Sequence, residues 1–133
     1  MKTHVTGLAA ALLFSMSGLA EAAQTISSAA IPVTTLPDNF ACYVRNVGRT
    51  PVSVTVQIVN SSGTMVHPDF DNCTAVPLAG GRNCVVLASG LTSDLFACSA
   101  TASGSAKNLR GTLELRRLLF GGGVEVEAAD DLR

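Results

Sequence analysis

Between Val52 and Val59 the chain alternates: Val52, Val54, Val56 and Ile58 take every second position, with Ser53, Thr55 and Gln57 between them. A period of two sends successive side chains to opposite faces, so this stretch reads as a half-buried strand of an antiparallel sheet. A second strand-like run, Ala41 to Val47, precedes it, and Asn46-Val47-Gly48-Arg49-Thr50-Pro51 separates the two. Gly supplies positive φ and Pro cannot donate to a ladder, so the chain turns there and the pair reads as a hairpin. Asn60-Ser61-Ser62-Gly63 forms a second turn, with Thr64-Met65-Val66 as a continuation beyond it.

The same grammar recurs along the chain. Ile26 to Leu36 reads as an edge strand, because Pro32 removes a donor that a central strand needs. His67 to Asn72 is a loop, Cys84 to Ala88 and Leu95 to Ala102 are short apolar strands, and Ser89 to Asp94 separates them. Leu109 to Leu119 places Leu113 and Leu115 between Thr112, Glu114 and Arg116. Leu, Glu and Arg favour helix, yet Gly111 and Thr112 oppose it, so strand is the preferred reading. Gly121-Gly122-Gly123 then turns the chain into a last alternating strand, Val124-Glu125-Val126-Glu127. Seven or so short strands with regular turns predict an all-β antiparallel sandwich.

At the other end, Met1-Lys2 is followed by a largely uncharged stretch from Val5 to Ala20 and by Ala20-Glu21-Ala22. A basic start, an apolar core and small residues at −3 and −1 describe a secretory signal peptide over residues 1–22, cleaved after Ala22. The apolar stretch is too short to read as a membrane anchor and is interrupted by Gly7, Ser15, Ser17 and Gly18. Residues 23–133 are then expected to be one domain, secreted or periplasmic, with no membrane insertion after signal removal. The formal net charge is −1 with no long run of either sign, so no nucleic-acid or anionic-membrane partner is implied. Aromatic residues make up 5% and Trp is absent, which leaves no stacking platform of the kind that sugar sites use.

All four cysteines, Cys42, Cys73, Cys84 and Cys98, lie after the signal peptide, and an even number in an exported domain reads as two disulfides. A zinc site competes poorly, since no Cys-x-x-Cys pair exists and His67 is not beside a cysteine pair. Among the three connectivities, Cys73 to Cys84 and Cys42 to Cys98 are preferred. Pro77, Gly80 and Gly81 can fold the short loop back, and Cys42 and Cys98 each sit in an apolar strand pattern suited to a bridge across a core.

Four clusters carry candidate chemistry. His67, Asp69, Asp71 and Asn72 gather oxygen ligands at alternate positions, as a calcium loop does, but no acidic ligand closes the loop and an exposed polar turn is the preferred reading. Glu125 and Glu127 are spaced like the paired carboxylates of glycoside hydrolysis, although alternation with Val124 and Val126 makes them a solvated face. Arg110, Arg116 and Arg117 are candidates for a cationic patch, with Glu114 and the two glutamates as cross-strand partners. Asn60-Ser61-Ser62 and Asn72-Cys73-Thr74 fit the glycosylation pattern, which matters only in a eukaryotic secretory pathway. His67 is the one histidine after the signal peptide and no Gly-x-Ser-x-Gly elbow is present, so a serine hydrolase is not expected.

Val44-Arg45-Asn46-Val47-Gly48, then Pro51 to Val59 with the turn at Gly63, and Leu78-Ala79-Gly80-Gly81 resemble bacterial immunoglobulin-like domains of the cell-adhesion-related (CARDB-like) kind, over roughly Phe40 to Leu87. The resemblance implies an immunoglobulin-like sandwich and a non-catalytic spacer or binding module on an exported protein. Two functions follow as expectations. The first is a non-enzymatic, cofactor-free extracytoplasmic module with a structural role or a protein or surface ligand. The second is an assembly subunit whose segment Gln24 to Leu36 adds to a neighbour's sheet edge. Self-pairing of that segment, and hence a monomer, is the expected arrangement.

Overall fold

A computed structural model of the chain describes residues 22–33, 39–74, 77–119 and 121–133. Residues 1–21 of the expected signal peptide and residues 34–36 of the expected edge strand lie outside the described residues. Among the described residues there is no helix, and nine strands form two antiparallel sheets. They are β1 (Gln24–Ser27), β2 (Ile31–Pro32), β3 (Asn39–Asn46), β4 (Val54–Asn60), β5 (Phe70–Asp71), β6 (Asn83–Ala88), β7 (Leu95–Ala102), β8 (Leu109–Leu118) and β9 (Val124–Leu132). The fold is the antiparallel β-sandwich that the alternation predicts, and Leu109 onward is strand rather than helix.

In the smaller sheet β7 is central, with β4 on one side and β1 and β2 end to end on the other. The larger sheet runs β5-β6-β3-β8-β9. The expected hairpin between β3 and β4 is therefore corrected, because β3 pairs with β6 and β8 whereas β4 pairs with β7. β3, β4, β6, β7 and β8 each have an apolar face, and placing them in facing sheets buries those faces in one core. Asn46 directs the crossing. It is fully buried, its Nδ2 donates to the carbonyls of Thr50 (2.7 Å) and Leu78 (2.9 Å), and its Oδ1 accepts from the Gly48 N–H (2.9 Å). Gly80 lies against this loop so closely that a Cβ there would stand 2.7 Å from the Gly48 carbonyl oxygen.

Along β4, Val54, Val56 and Ile58 are buried and Thr55 and Gln57 exposed, as the period-two reading requires. Val52 stands outside the strand and bridges Leu78, while Met65 makes one bridge to Val59 instead of continuing a strand. Facing them, β3 contributes Phe40, Cys42 and Val44, and beside β4 in its own sheet β7 contributes Phe96, Cys98, Ala100 and Ala102. Phe40 and Phe96 meet across the sheets with ring centroids 5.2 Å apart. Two residues along each strand, Cys42 bonds to Cys98 and joins the sheets, and Cys73, just after β5, bonds to Cys84 in β6.

The N-terminal segment is one row broken in two. At the break the Ser28 N–H donates to the Cys98 carbonyl (2.9 Å), and the Ser28 hydroxyl accepts from the Cys98 N–H (3.0 Å), so a side-chain oxygen stands in for a ladder carbonyl. Pro32 sits on the edge row, where its missing N–H costs no ladder bond. Ser27 and Arg133 exchange two backbone hydrogen bonds, 3.0 and 3.1 Å, and the Ala29 N–H donates to Asp130 Oδ2 at 2.6 Å. These bonds tie the edge of the smaller sheet to the edge of the larger one. At the C-terminal end, β9 continues past the expected Val124-Glu127 to Leu132, held in register by β8.

Candidate ligand-binding cleft

The structure disperses most of the sequence candidates into structural roles. Asp69 Oδ2 accepts from the N–H (2.7 Å) and hydroxyl (2.6 Å) of Ser89. Asp71 accepts from the Cys73 N–H (2.7 Å) and the Thr74 hydroxyl (2.8 Å), and Asn72 Oδ1 from the Val85 N–H (2.7 Å). Each side chain fastens the segment to β6 or to itself, because short Asp and Asn side chains reach nearby backbone donors. Part of the expected loop is strand, since Phe70 and Asp71 pair with Leu87 and Val86. His67 Nδ1 lies 3.0 Å from the carbonyl of Pro68. Asn60 likewise turns its oxygen inward, accepting from the Ser62 and Thr64 N–H groups at 3.1 and 2.8 Å.

A bulge between β8 and β9 separates Glu125 from Glu127. Arg117 pairs with Glu125 in register and Arg116 with Val126, leaving Glu127 as the extra residue. Glu127 forms an ion pair with Arg117, and Arg116 lies 3.8 Å from Glu114. The Arg116 Nη1 also donates to the Tyr43 hydroxyl at 3.1 Å. The expected buried valine face is corrected, because Val124 and Val126 are 44% and 49% exposed. This end of the β8–β9 hairpin runs beyond Asn39, the first described residue of β3, so among the described residues no third strand lies beside it.

Arg110 is different. Its Nη1 donates to the carbonyls of Lys107 (2.9 Å) and Leu109 (2.6 Å), which folds the guanidinium back over its own strand. Opposite it on β3 stands Arg45, and opposite Arg45 on β6 stands Asn83. Directly opposed residues of an antiparallel pair have Cβ atoms about 5 Å apart, where like charges are destabilising. Among the described residues neither arginine forms an ion pair. Two positions along, the next row on the same face carries Tyr43, Thr112 and Asp131, with the Thr112 hydroxyl 3.2 Å from Asp131 Oδ1.

These residues line an open cleft of about 760 Å³ at the end of the larger sheet, completed by Arg133 beside the β1–β9 seam. Composition alone did not reveal it. Arg45 sits in the outward phase of β3, between buried Val44 and Asn46, but its partner depends on register, which alternation does not specify. Among the described residues no three His, Cys, Asp or Glu side chains gather as a metal set. No helix among them is long and apolar enough to cross a membrane. The chain matches no family model, no curated protein and no solved structure. The two disulfides fit an oxidising compartment.

Proposed function

We propose that this chain is an exported, non-enzymatic immunoglobulin-like module that binds a protein or surface ligand outside the cytoplasm. One observation carries the reading: the N-terminal strand pairs with β7 of its own chain and is stitched to Arg133, so the sandwich completes its own edge. A subunit built for strand exchange leaves such an edge for a neighbour. Two disulfides support a role in an oxidising space, where a small domain gains stability from covalent staples. The resemblance of Val44 to Val59 to bacterial immunoglobulin-like domains points the same way. The larger sheet then supplies the display surface, with the arginine cleft at its end.

The test is the oligomeric state of residues 23–133, measured by light scattering on a sizing column over a hundredfold concentration range. A monomer throughout, with a large loss of melting temperature when residues 24–33 are deleted, is expected. Concentration-dependent oligomers that collapse to a folded monomer on that deletion would replace the module with an assembly subunit.

A further inference from the structure

Among the described residues the opposed pair Arg45 and Arg110 has no acidic partner, although Arg110 holds the carbonyls of Lys107 and Leu109. Elsewhere on this sheet an arginine has an acid at hand: Arg117 pairs with Glu127, and Arg116 lies near Glu114. At the cleft the nearest acid on the lining is Asp131, which stands in the row of Tyr43 and Thr112 and has the Thr112 hydroxyl 3.2 Å from its carboxylate. Arg133 adds a further guanidinium to the lining. The local balance is cationic on a chain whose net charge is −1.

Geometry also prepares Arg110 for a ligand. With Nη1 engaged by the Lys107 and Leu109 carbonyls, its position is fixed and the donors on Nε and Nη2 remain for an external acceptor. That edge of a guanidinium binds carboxylate, sulfate or phosphate through two parallel hydrogen bonds. Arg45, one strand away, can close on the same anion from the other side. Tyr43 and Thr112 line the cleft on the same face, the Tyr43 hydroxyl held by Arg116 and the Thr112 hydroxyl by Asp131.

We propose that Arg45 and Arg110 form an oxyanion-binding fork in this cleft, so that the ligand of the module carries a carboxylate, sulfate or phosphate group. This rests on the binding-module reading and names the chemistry of its site. An anion between the two guanidinium groups turns a repulsive cross-strand pair into an attractive triad, which couples ligand binding to stability.

The experiment is an NMR titration of residues 23–133, disulfides intact, with inorganic phosphate, sulfate and acetate, each against sodium chloride at equal ionic strength. The expected result is a saturable shift confined to Arg45, Arg110 and Thr112, weakened about tenfold or more by R45Q or R110Q, as loss of a charged hydrogen-bond pair requires. The variant R117Q, which removes an arginine already paired with Glu127, should leave the affinity unchanged. Preference for acetate identifies a carboxylate ligand, and preference for phosphate or sulfate a tetrahedral one. In parallel, R45Q should melt above the native protein in chloride, and saturating phosphate should close that gap. Shifts that chloride reproduces, or an affinity within twofold of native in R45Q while its spectrum stays folded, would overturn the fork. A monomer that binds none of the three anions sinks the fork but leaves the module reading standing.

Discussion

Asn46 and Leu78 are joined by a hydrogen bond of 2.9 Å from the Asn46 Nδ2 to the Leu78 carbonyl, and among the described residues the other fully buried side chains are apolar or disulfide-bonded. The bond fixes the loop after β3 to the segment before β6, and a second from the same nitrogen holds Thr50 at 2.7 Å. Asn46→Ala leaves the Thr50 carbonyl and the Gly48 N–H without partners and the Leu78 carbonyl with the Val52 N–H alone, and should destabilise by about 2–3 kcal/mol in a denaturant melt. Asn46→Asp keeps the acceptor for Gly48 but sets a carboxylate against the two carbonyls, and should be no better. A loss below roughly 0.5 kcal/mol for both variants would mean that the loops are held by other contacts.

The faces of β4 can be separated by two substitutions. Val56 is buried in the common core and Thr55 is exposed on the outer surface. Val56→Ala removes buried methyl groups and should lower stability by about 1–3 kcal/mol. Thr55→Ala should stay within roughly 0.5 kcal/mol. Equal effects at the two positions would show the outer face to be covered as well.

Much of the fold was legible because one-sided burial writes an alternation into the strand. Val54 to Ile58 and Leu109 to Leu115 carry it plainly, and both are strands with the expected face inward. What stayed hidden depends on long-range pairing. Ala128-Ala129-Asp130-Asp131 has poor intrinsic preference for strand, yet it extends β9 because residues 111–115 of β8 hold it in register. Neighbouring strands usually pair, and that habit misplaces β3 and β4, which cross between sheets. Asn46 reads as an ordinary turn former until its neighbours at Thr50 and Leu78 are known. The cleft was half visible: Arg110 stood out by its charge, but Arg45 becomes its partner only through the register of β3 and β8.

Both bridges should appear in non-reducing peptide maps, Cys42 with Cys98 and Cys73 with Cys84. Free thiols on the exported protein would count against the pairing. The closed loops differ in length, with sequence separations of 56 and 11. On the loop-entropy account the longer bridge contributes about 4 kcal/mol and the shorter about 3 kcal/mol. The double variant C42S/C98S should therefore melt lower than C73S/C84S. Serine brings hydroxyls into buried positions at both bridges, so the gap between the two variants should stay near the entropic difference.

Acid should weaken the end of the sandwich where β7 begins. The Ser61 hydroxyl, and after it the Leu95 N–H, donate to the carboxylate of Asp94 and hold its pKa below the ordinary 3.8. The Leu95 bond measures 2.7 Å, and the Asp94 carbonyl in turn accepts from the Val33 N–H at 2.8 Å, so this residue gathers the turn after β4, the start of β7 and the end of β2. A group whose folded pKa is depressed binds protons less readily when folded, so its contribution is complete above the unfolded value. It is lost as the pH falls from about 3.8 down through the lower folded value. Asp94→Asn removes the titration. The melting temperatures of native protein and variant should differ most near neutral pH and converge as the pH drops below about 3.8, with the native protein the more stable above it. A gap that stays constant from pH 6 to 2.5, or a directly titrated Asp94 carboxyl at or above its ordinary value, would remove Asp94 from the acid response and assign it to other carboxylates.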